Sequence, residues 1–109
     1  MITSIYIFPG AVLTAVAATY GSIVPVLTKR VIKSASLINT TAAPVACSVY
    51  LVPSGASASS ANIKISARTI GVGETYTCPE LIGKGIDAAG FVQALGLGVT
   101  FDYTATDVT

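Results

Sequence analysis

Hydrophobic and polar residues alternate along much of the chain with a period of two, which is typical of β-strands that bury one face. In the run Lys29–Asn39, the alternation predicts one face with Val31, Lys33, Ala35 and Leu37 and another with Ile32, Ser34, Ser36 and Ile38. In the run Val45–Val52, it predicts an inward face with Val45, Cys47, Val49 and Leu51. Because only a short Asn- and Pro-containing turn separates the two runs, we expect them to form a hairpin.

Further runs rich in β-branched residues lie on both sides of this pair, separated by Gly, Pro and Asn. They cover residues 4–8, 12–26 (split near Gly21-Ser22), 62–70, 75–78, 91–95 and 99–104. About eight short strands at such intervals predict an all-β fold, a single antiparallel β-sandwich. The sequence leaves a jelly-roll-like and an immunoglobulin-like connectivity open. For residues 86–94, a short helix is the alternative to a strand, although Gly90 disfavours a helix.

No linker divides the 109 residues, so we expect one domain, residues 1–109. Residues 5–27 carry no charge and are about as long as a membrane-spanning helix. Pro9-Gly10, Gly21 and Pro25 interrupt that stretch, and prolines and glycines destabilise a continuous helix. No basic residue precedes it, as a secretory signal would require. We therefore predict strands and turns here and no membrane partner.

The charge balance excludes several classes of partner and cofactor. Six basic and five acidic residues give a net charge of +1, which provides no electrostatic surface for a nucleic acid. The chain has no histidine and two well-separated cysteines, so we expect neither a metal site nor a cofactor. Cys47 and Cys78 are expected to be buried and reduced, with a disulfide between adjacent strands as the alternative. A catalytic thiol would lack the usual histidine base.

The other charged residues form no recognisable catalytic arrangement. The carboxylates are scattered rather than paired across a cleft, and Asp102 and Asp107 are expected in solvent. Gly83-Lys84-Gly85 lacks the rest of a phosphate-binding loop, so it predicts a turn. The basic cluster of Lys29, Arg30 and Lys33 is interpreted as a charged strand edge or as a contact with acidic groups of a partner. We predict no catalytic, cofactor-binding or metal-binding residue and expect that the protein is not an enzyme.

Three surface features favour contact with other proteins over chemistry. Tyr50 is predicted to point outward, whereas Tyr103 shares the face of Phe101. The small-residue segment 53–61 is interpreted as a mobile connection, or as an exposed loop that touches a neighbouring molecule. Only 10% of the residues are charged, against about a quarter in an ordinary domain. Since several strands carry Ile or Val on both faces, as with Ile32 and Ile38, we expect other subunits to cover part of the surface.

The passage from Ile32 to Val52 resembles a strand-turn-strand pattern of small virion proteins of tailed bacteriophages. The resemblance continues through Pro53-Ser54-Gly55, residues 65–70, Gly73-Glu74-Thr75-Tyr76 and residues 81–94, and covers roughly residues 28–104. Residues 1–27 lie outside it. They are interpreted as an N-terminal arm or a segment exchanged between subunits.

The resemblance implies a capsid-associated structural protein of the virion, assembled in the cytoplasm of the bacterial host. Such decoration, cement or minor capsid proteins are β-sandwiches that form homo-oligomers, often trimers, and bind the major capsid protein across capsomer junctions. A tail, collar or fibre component of the virion is the first alternative. A carbohydrate-binding module is the second, although 7% aromatic residues and no tryptophan provide little surface for stacking on sugars.

Overall fold

A computed structural model of the protein describes residues 3–109, which form two antiparallel β-sheets packed face to face. The strands are β1 (Thr3–Val12), β2 (Ala18–Thr19), β3 (Lys29–Asn39), β4 (Val45–Val52), β5 (Ile63–Ile70), β6 (Thr75–Tyr76), β7 (Gly85–Ile86), β8 (Phe91–Leu95) and β9 (Val99–Val108). The predicted all-β sandwich is therefore confirmed, with the bounds of β3, β4 and β8 as expected. Within this part of the chain, no helix is long and apolar enough to span a membrane.

The strand order identifies the sandwich as a jelly roll. The first sheet has the order β1-β9-β3-β6, with β7 also pairing with β3, and the second has the order β2-β8-β4-β5. The pairs β4·β5, β3·β6, β2·β8 and β1·β9 are nested, as in one long hairpin folded over on itself. An immunoglobulin-like sandwich would instead place its first two strands side by side in one sheet. Of the two predicted connectivities, the structure has the jelly roll.

The predicted hairpin between β3 and β4 is wrong, because β3 lies in the first sheet and β4 in the second. The buried side chain of Asn39 holds the connection that crosses between them. Its amide donates to the carbonyl oxygens of Ala43 and Ile70, each at 2.9 Å, and its Oδ1 accepts from the backbone N–H of Thr41. The short turn thus closes one end of the sandwich instead of pairing the two strands.

The predicted faces of β3 are also partly wrong, because a β-bulge lies at Lys33. The pairing of β3 with β9 shifts register between Ile32 and Ser34. An extra residue reverses the alternation for every position that follows it. Consequently Ile32 is buried on the same face as Ala35 and Leu37, and not on the opposite one.

The predicted strand over residues 12–26 is reduced to the two residues of β2. The chain on either side is held by individual contacts: Val24 N–H donates to Gly90 O at 2.9 Å, and Ala89 N–H donates to Val24 O at 2.8 Å. β1 and β2 pair with β9 and β8 of the same chain. Exchange of residues 1–27 between subunits stays a prediction, and Met1 and Ile2 lie outside the described residues.

Aromatic side chains fill one part of the core. Phe8 stacks on Tyr103 with ring centroids 5.3 Å apart, and Phe101 and Tyr103 share one face of β9 as predicted. The Tyr103 hydroxyl donates to Tyr20 O at 2.8 Å, which brings the next residue, Gly21, against the ring. Aromatic packing therefore fixes where the segment after β2 runs.

We expect Gly21→Ala to lower the free energy of unfolding by about 3 kcal/mol. Gly21 has a φ of +89°, and an added Cβ would collide with the Tyr103 hydroxyl and lie 2.8 Å from that of Tyr6. Gly55→Ala is the matched control, because Gly55 also has a positive φ, +76°, but nothing within 4 Å. That variant should lose only about 1 kcal/mol, the cost of the left-handed backbone. If urea unfolding showed equal losses of free energy for the two variants, the close contact of Gly21 with the two tyrosine hydroxyls would be contradicted.

Candidate functional site

A buried charge lies at the centre of the most polar cluster in the structure. Arg30 on β3 is only 2% exposed. Its Nε donates to Asp107 Oδ1 at 2.7 Å and its Nη2 to Asp107 Oδ2 at 2.9 Å, and its Nη1 donates to Ser22 O at 2.9 Å. A bidentate pair of this kind satisfies both groups, which a buried charge requires. The Arg30–Asp107 pair therefore ties β3 and β9 to the segment that follows β2.

Tyr6 on β1 completes the cluster. Its ring centroid lies 3.7 Å from the Arg30 guanidinium carbon, a cation–π contact. Its hydroxyl accepts from the backbone N–H of Ser22 at 2.7 Å. Burial lowers the pKa of Arg30, but the hydrogen bond and charge of Asp107 outweigh that effect and raise the pKa. The permanently charged guanidinium thus connects β1, β3 and β9 with the segment around Ser22.

Two expectations about charged residues are wrong here. Asp107, expected in solvent, has a side chain only 13% exposed, since the register places it directly opposite Arg30. The basic cluster is divided, because Lys29 and Lys33 are exposed whereas Arg30 points inward. The signal for Asp107 was present in the sequence, where it follows the buried positions of Tyr103 and Ala105 at intervals of two.

Asp102 occupies a different environment, on the outer face of the first sheet. It is half-buried, and its Oδ1 accepts from the hydroxyl of Ser36 on the neighbouring β3 at 2.6 Å. Asp102 and Ser36 are direct cross-strand partners. The two predicted solvent carboxylates thus both make contacts across the β3·β9 pair.

A second charged cluster closes the opposite side of the sandwich. The guanidinium carbon of Arg68 on β5 lies 4.3 Å from the ring centroid of Tyr76 on β6. The Tyr76 hydroxyl donates to the Glu80 carboxylate, with oxygen–oxygen distances of 2.5 and 2.7 Å. Burial and the hydrogen bond to Glu80 raise the pKa of Tyr76. Because β5 and β6 belong to different sheets, this contact links the two sheets at their shared edge.

Both thiols are buried and free, as expected for cysteines that act as small apolar side chains. The alternative disulfide is not formed. Burial raises the pKa of Cys47 to about 11 and that of Cys78 to about 12. A thiol with so high a pKa is a poor nucleophile at neutral pH.

The remaining sequence features lie apart from both clusters. Gly83-Lys84-Gly85 leads from a turn into β7, and Tyr50 is half-buried. In the exposed segment 53–61, the buried Asn62 side chain donates to Ser57 O at 2.9 Å and accepts from Ser59 N–H at 3.1 Å. Among residues 3–109, no three His, Cys, Asp or Glu side chains could together hold a metal, and no pocket is present.

The distribution of exposed apolar side chains is uneven. Of ten large hydrophobic residues exposed in the described chain, seven lie within residues 3–27, which contain no charged residue. We call these seven the N-terminal apolar surface: Ile5, Ile7, Val12, Val16, Ile23, Val26 and Leu27. Single exposed hydrophobics are ordinary, but seven of them along an uncharged quarter of the chain are unusual for a domain that stays free in solution. The sequence pattern predicted surplus apolar positions on β3, at Ile32 and Ile38, and this was wrong: Ile32 is buried and Ile38 is half-buried.

Comparison of the chain with protein-family models, with curated proteins and with solved structures finds no match.

We expect Asp107→Ala to lower the free energy of unfolding by about 3 kcal/mol, because it leaves the Arg30 charge buried without a counter-ion. The double variant Arg30→Met/Asp107→Ala should lose less than this single variant, since it also removes the stranded charge. Asp87→Ala, at an exposed carboxylate, is the control and should change stability by less than about 0.5 kcal/mol. An Asp107→Ala variant as stable as the control would show that the pair does not hold the segment.

Alkaline pH should destabilise the fold. Because burial raises the pKa of Cys47 and Cys78 above the ordinary 9.0, the folded protein retains protons that the unfolded chain releases. The contribution of these thiols to the free energy of unfolding is therefore expected to be constant below about pH 9 and to fall as the pH rises toward 12. Tyr103, whose pKa burial also raises, acts in the same direction. Urea unfolding across this range measures the effect, and rapid alkylation of either thiol in the native protein at pH 8 would contradict it.

Proposed function

We propose that this protein is a structural subunit of a tailed-bacteriophage virion, a decoration, cement or minor capsid protein that stabilises the head. The observation that carries the proposal is the N-terminal apolar surface, seven large side chains in water along an uncharged segment. The proposed role is binding rather than catalysis.

Exposed apolar area of this kind favours association. Moving a large aliphatic side chain fully out of water contributes about 1.5–3 kcal/mol, so several of them can drive a stable contact. With only 10% charged residues, the chain also lacks the salt-bridged surface with which most free domains stay apart. A subunit that functions in contact with other subunits accounts for both the exposed apolar side chains and the low content of charge.

The jelly roll and the sequence resemblance support the proposal at different levels. Jelly rolls recur in viral capsid proteins and in lectins, and a fold alone does not determine function. The resemblance of residues 28–104 to small virion proteins of tailed phages favours the virion. None of the eight aromatic residues is fully exposed, so a sugar-binding module would lack an open stacking platform. The carbohydrate alternative is therefore the weaker one.

The proposed mechanism is thermodynamic linkage. A protein that binds the assembled shell but not its separated capsomers stabilises the shell by a free energy that grows with the logarithm of its concentration over its dissociation constant. The partners are then the major capsid protein and further copies of this chain, with a trimer favoured by the resemblance. The place of action is the virion, assembled in the cytoplasm of the bacterial host. A tail, collar or fibre position uses the same type of contact and is the competing location.

Deletion of the gene from the phage that encodes it should yield heads that release DNA at a lower temperature than wild-type heads. Adding the purified protein back should restore stability. The variant Ile23→Lys/Val26→Lys should restore less than wild type, because it places charge on the N-terminal apolar surface. Ser54→Lys/Ser60→Lys, which adds the same two charges in the exposed segment 53–61, is the matched control and should restore fully.

Immuno-electron microscopy on virions separates the alternatives. Label over the head is expected. Label at the tail would move the assignment to a tail, collar or fibre component. Absence of the protein from virions, together with binding on a glycan array, would contradict the proposal and favour the carbohydrate-binding module.

A further inference from the structure

The edges of the two sheets differ in how they are protected from pairing with another chain. An edge strand presents unpaired backbone N–H and C=O groups, and proteins shield such edges with short strands, charges and bulges. β2, β6 and β7 are only two residues long. β5 has eight residues, but it carries Lys64 and Arg68 and shifts register twice against β4. Each of these edges is thus poorly suited to pairing.

The first half of β1 has none of these protections. Within the described chain, the ten-residue β1 pairs with β9 alone and carries no charged side chain. Its register with β9 is regular from Thr3 to Phe8, and the bulge comes only afterwards, around Pro9-Gly10. Ile5 and Ile7 on its outer face are 74% and 62% exposed. Residues 3–8 are therefore a straight, uncharged and open edge.

We propose that residues 4–8 of β1 pair antiparallel with the same residues of a second copy, about a twofold axis at Tyr6. The two first sheets then become one continuous sheet. This inference names a twofold contact that joins copies in pairs, in place of the trimer that the resemblance implies, and it rests on the assembly part of the proposed function.

A second copy is the partner that this edge fits best. An antiparallel edge is complementary to itself about a twofold axis, because each strand then offers its outward donors and acceptors to the other. Centred on Tyr6, the pairing sets Ile5 opposite Ile7 of the partner subunit, and Ile7 opposite Ile5 of the partner subunit. β-Branched cross-strand pairs of this kind stabilise a sheet. Two exposed apolar residues on each chain are covered by one symmetric contact.

The charges also select β1 over the other long edge. No like charges meet when β1 pairs with itself, because residues 3–12 are uncharged. Self-pairing of β5 would bring Lys64 and Arg68 close to the same positive side chains of another copy. Like charges across a strand pair are destabilising. The absence of charge therefore permits self-pairing of β1, whereas the positive charges of β5 oppose it.

The Arg30 cluster prepares β1 for this contact. The inward Tyr6 side chain lies against Arg30, and its hydroxyl accepts from Ser22 N–H. These contacts fix the position of β1 from its inner face. Thr104 and Thr106 of β9, the direct partners of Ile7 and Ile5, continue the outer face without charge. A strand that is already ordered loses little conformational entropy when it pairs.

Sedimentation velocity of the full chain at micromolar concentrations tests the interface. The wild-type protein should dimerise, and Ile5→Lys and Ile7→Lys should each raise the dissociation constant by about tenfold or more, since each places charge next to the partner strand. Val72→Lys is the matched control, because Val72 is 59% exposed but lies in the turn between β5 and β6, outside the N-terminal apolar surface, and it should leave the dissociation constant unchanged. Thermal unfolding establishes that each variant is folded.

Disulfide trapping tests the register. In the variant Ile5→Cys/Ile7→Cys, opposed thiols should cross-link the two chains under mild oxidation, whereas Ile5→Cys alone should not, because its thiol faces an isoleucine. The native thiols are buried and do not compete. A wild-type monomer would overturn both this interface and the proposed self-association. An oligomer that tolerates both lysine variants and forms no cross-link would overturn the interface alone and leave the proposed function standing.

Discussion

The buried guanidinium of Arg30 is the interaction on which the N-terminal quarter of the structure depends. A charge removed from water is tolerated only when each of its donors has a partner, and here the partners come from distant parts of the chain: Asp107 from β9 and Ser22 from the segment after β2. Tyr6 covers the guanidinium from β1. Because these elements satisfy one group, none can move away without leaving a charge or a hydrogen-bonding group unpaired.

This constraint also explains why the surface is apolar where it is. Once Tyr6 and Phe8 turn inward toward Arg30 and the aromatic core, the period of two obliges Ile5 and Ile7 to face outward. The segment after β2 is held through Ser22 and Val24, which leaves its neighbour Ile23 in water. A fold that needed no partner would favour polar residues at these positions. This sequence instead has apolar residues there, which is the physical basis for proposing that the protein functions as a subunit of an assembly.

Local alternation predicted much of the fold and little of its long-range pairing. The residues of β4 and β8, the burial of both cysteines and the all-β class follow from which side chains recur at intervals of two. The bulge at Lys33 does not, because one inserted residue changes no local propensity yet reverses every later position on β3. The crossing from β3 to β4 and the Arg30–Asp107 pair depend on contacts between residues far apart in sequence, which periodicity within one strand does not encode.

Backbone hydrogen exchange of β1, followed as a function of protein concentration, tests the central claim most directly. If the uncharged edge of residues 3–8 is a subunit interface, its outward-facing amides should exchange rapidly in dilute solution and slow as the concentration rises, while exchange in the charged edge strand β5 stays unchanged. The same rate of exchange in residues 3–8 at all concentrations, in a protein that nevertheless associates, would show that the copies meet elsewhere. Fast exchange in a protein that remains monomeric would contradict the account as a whole.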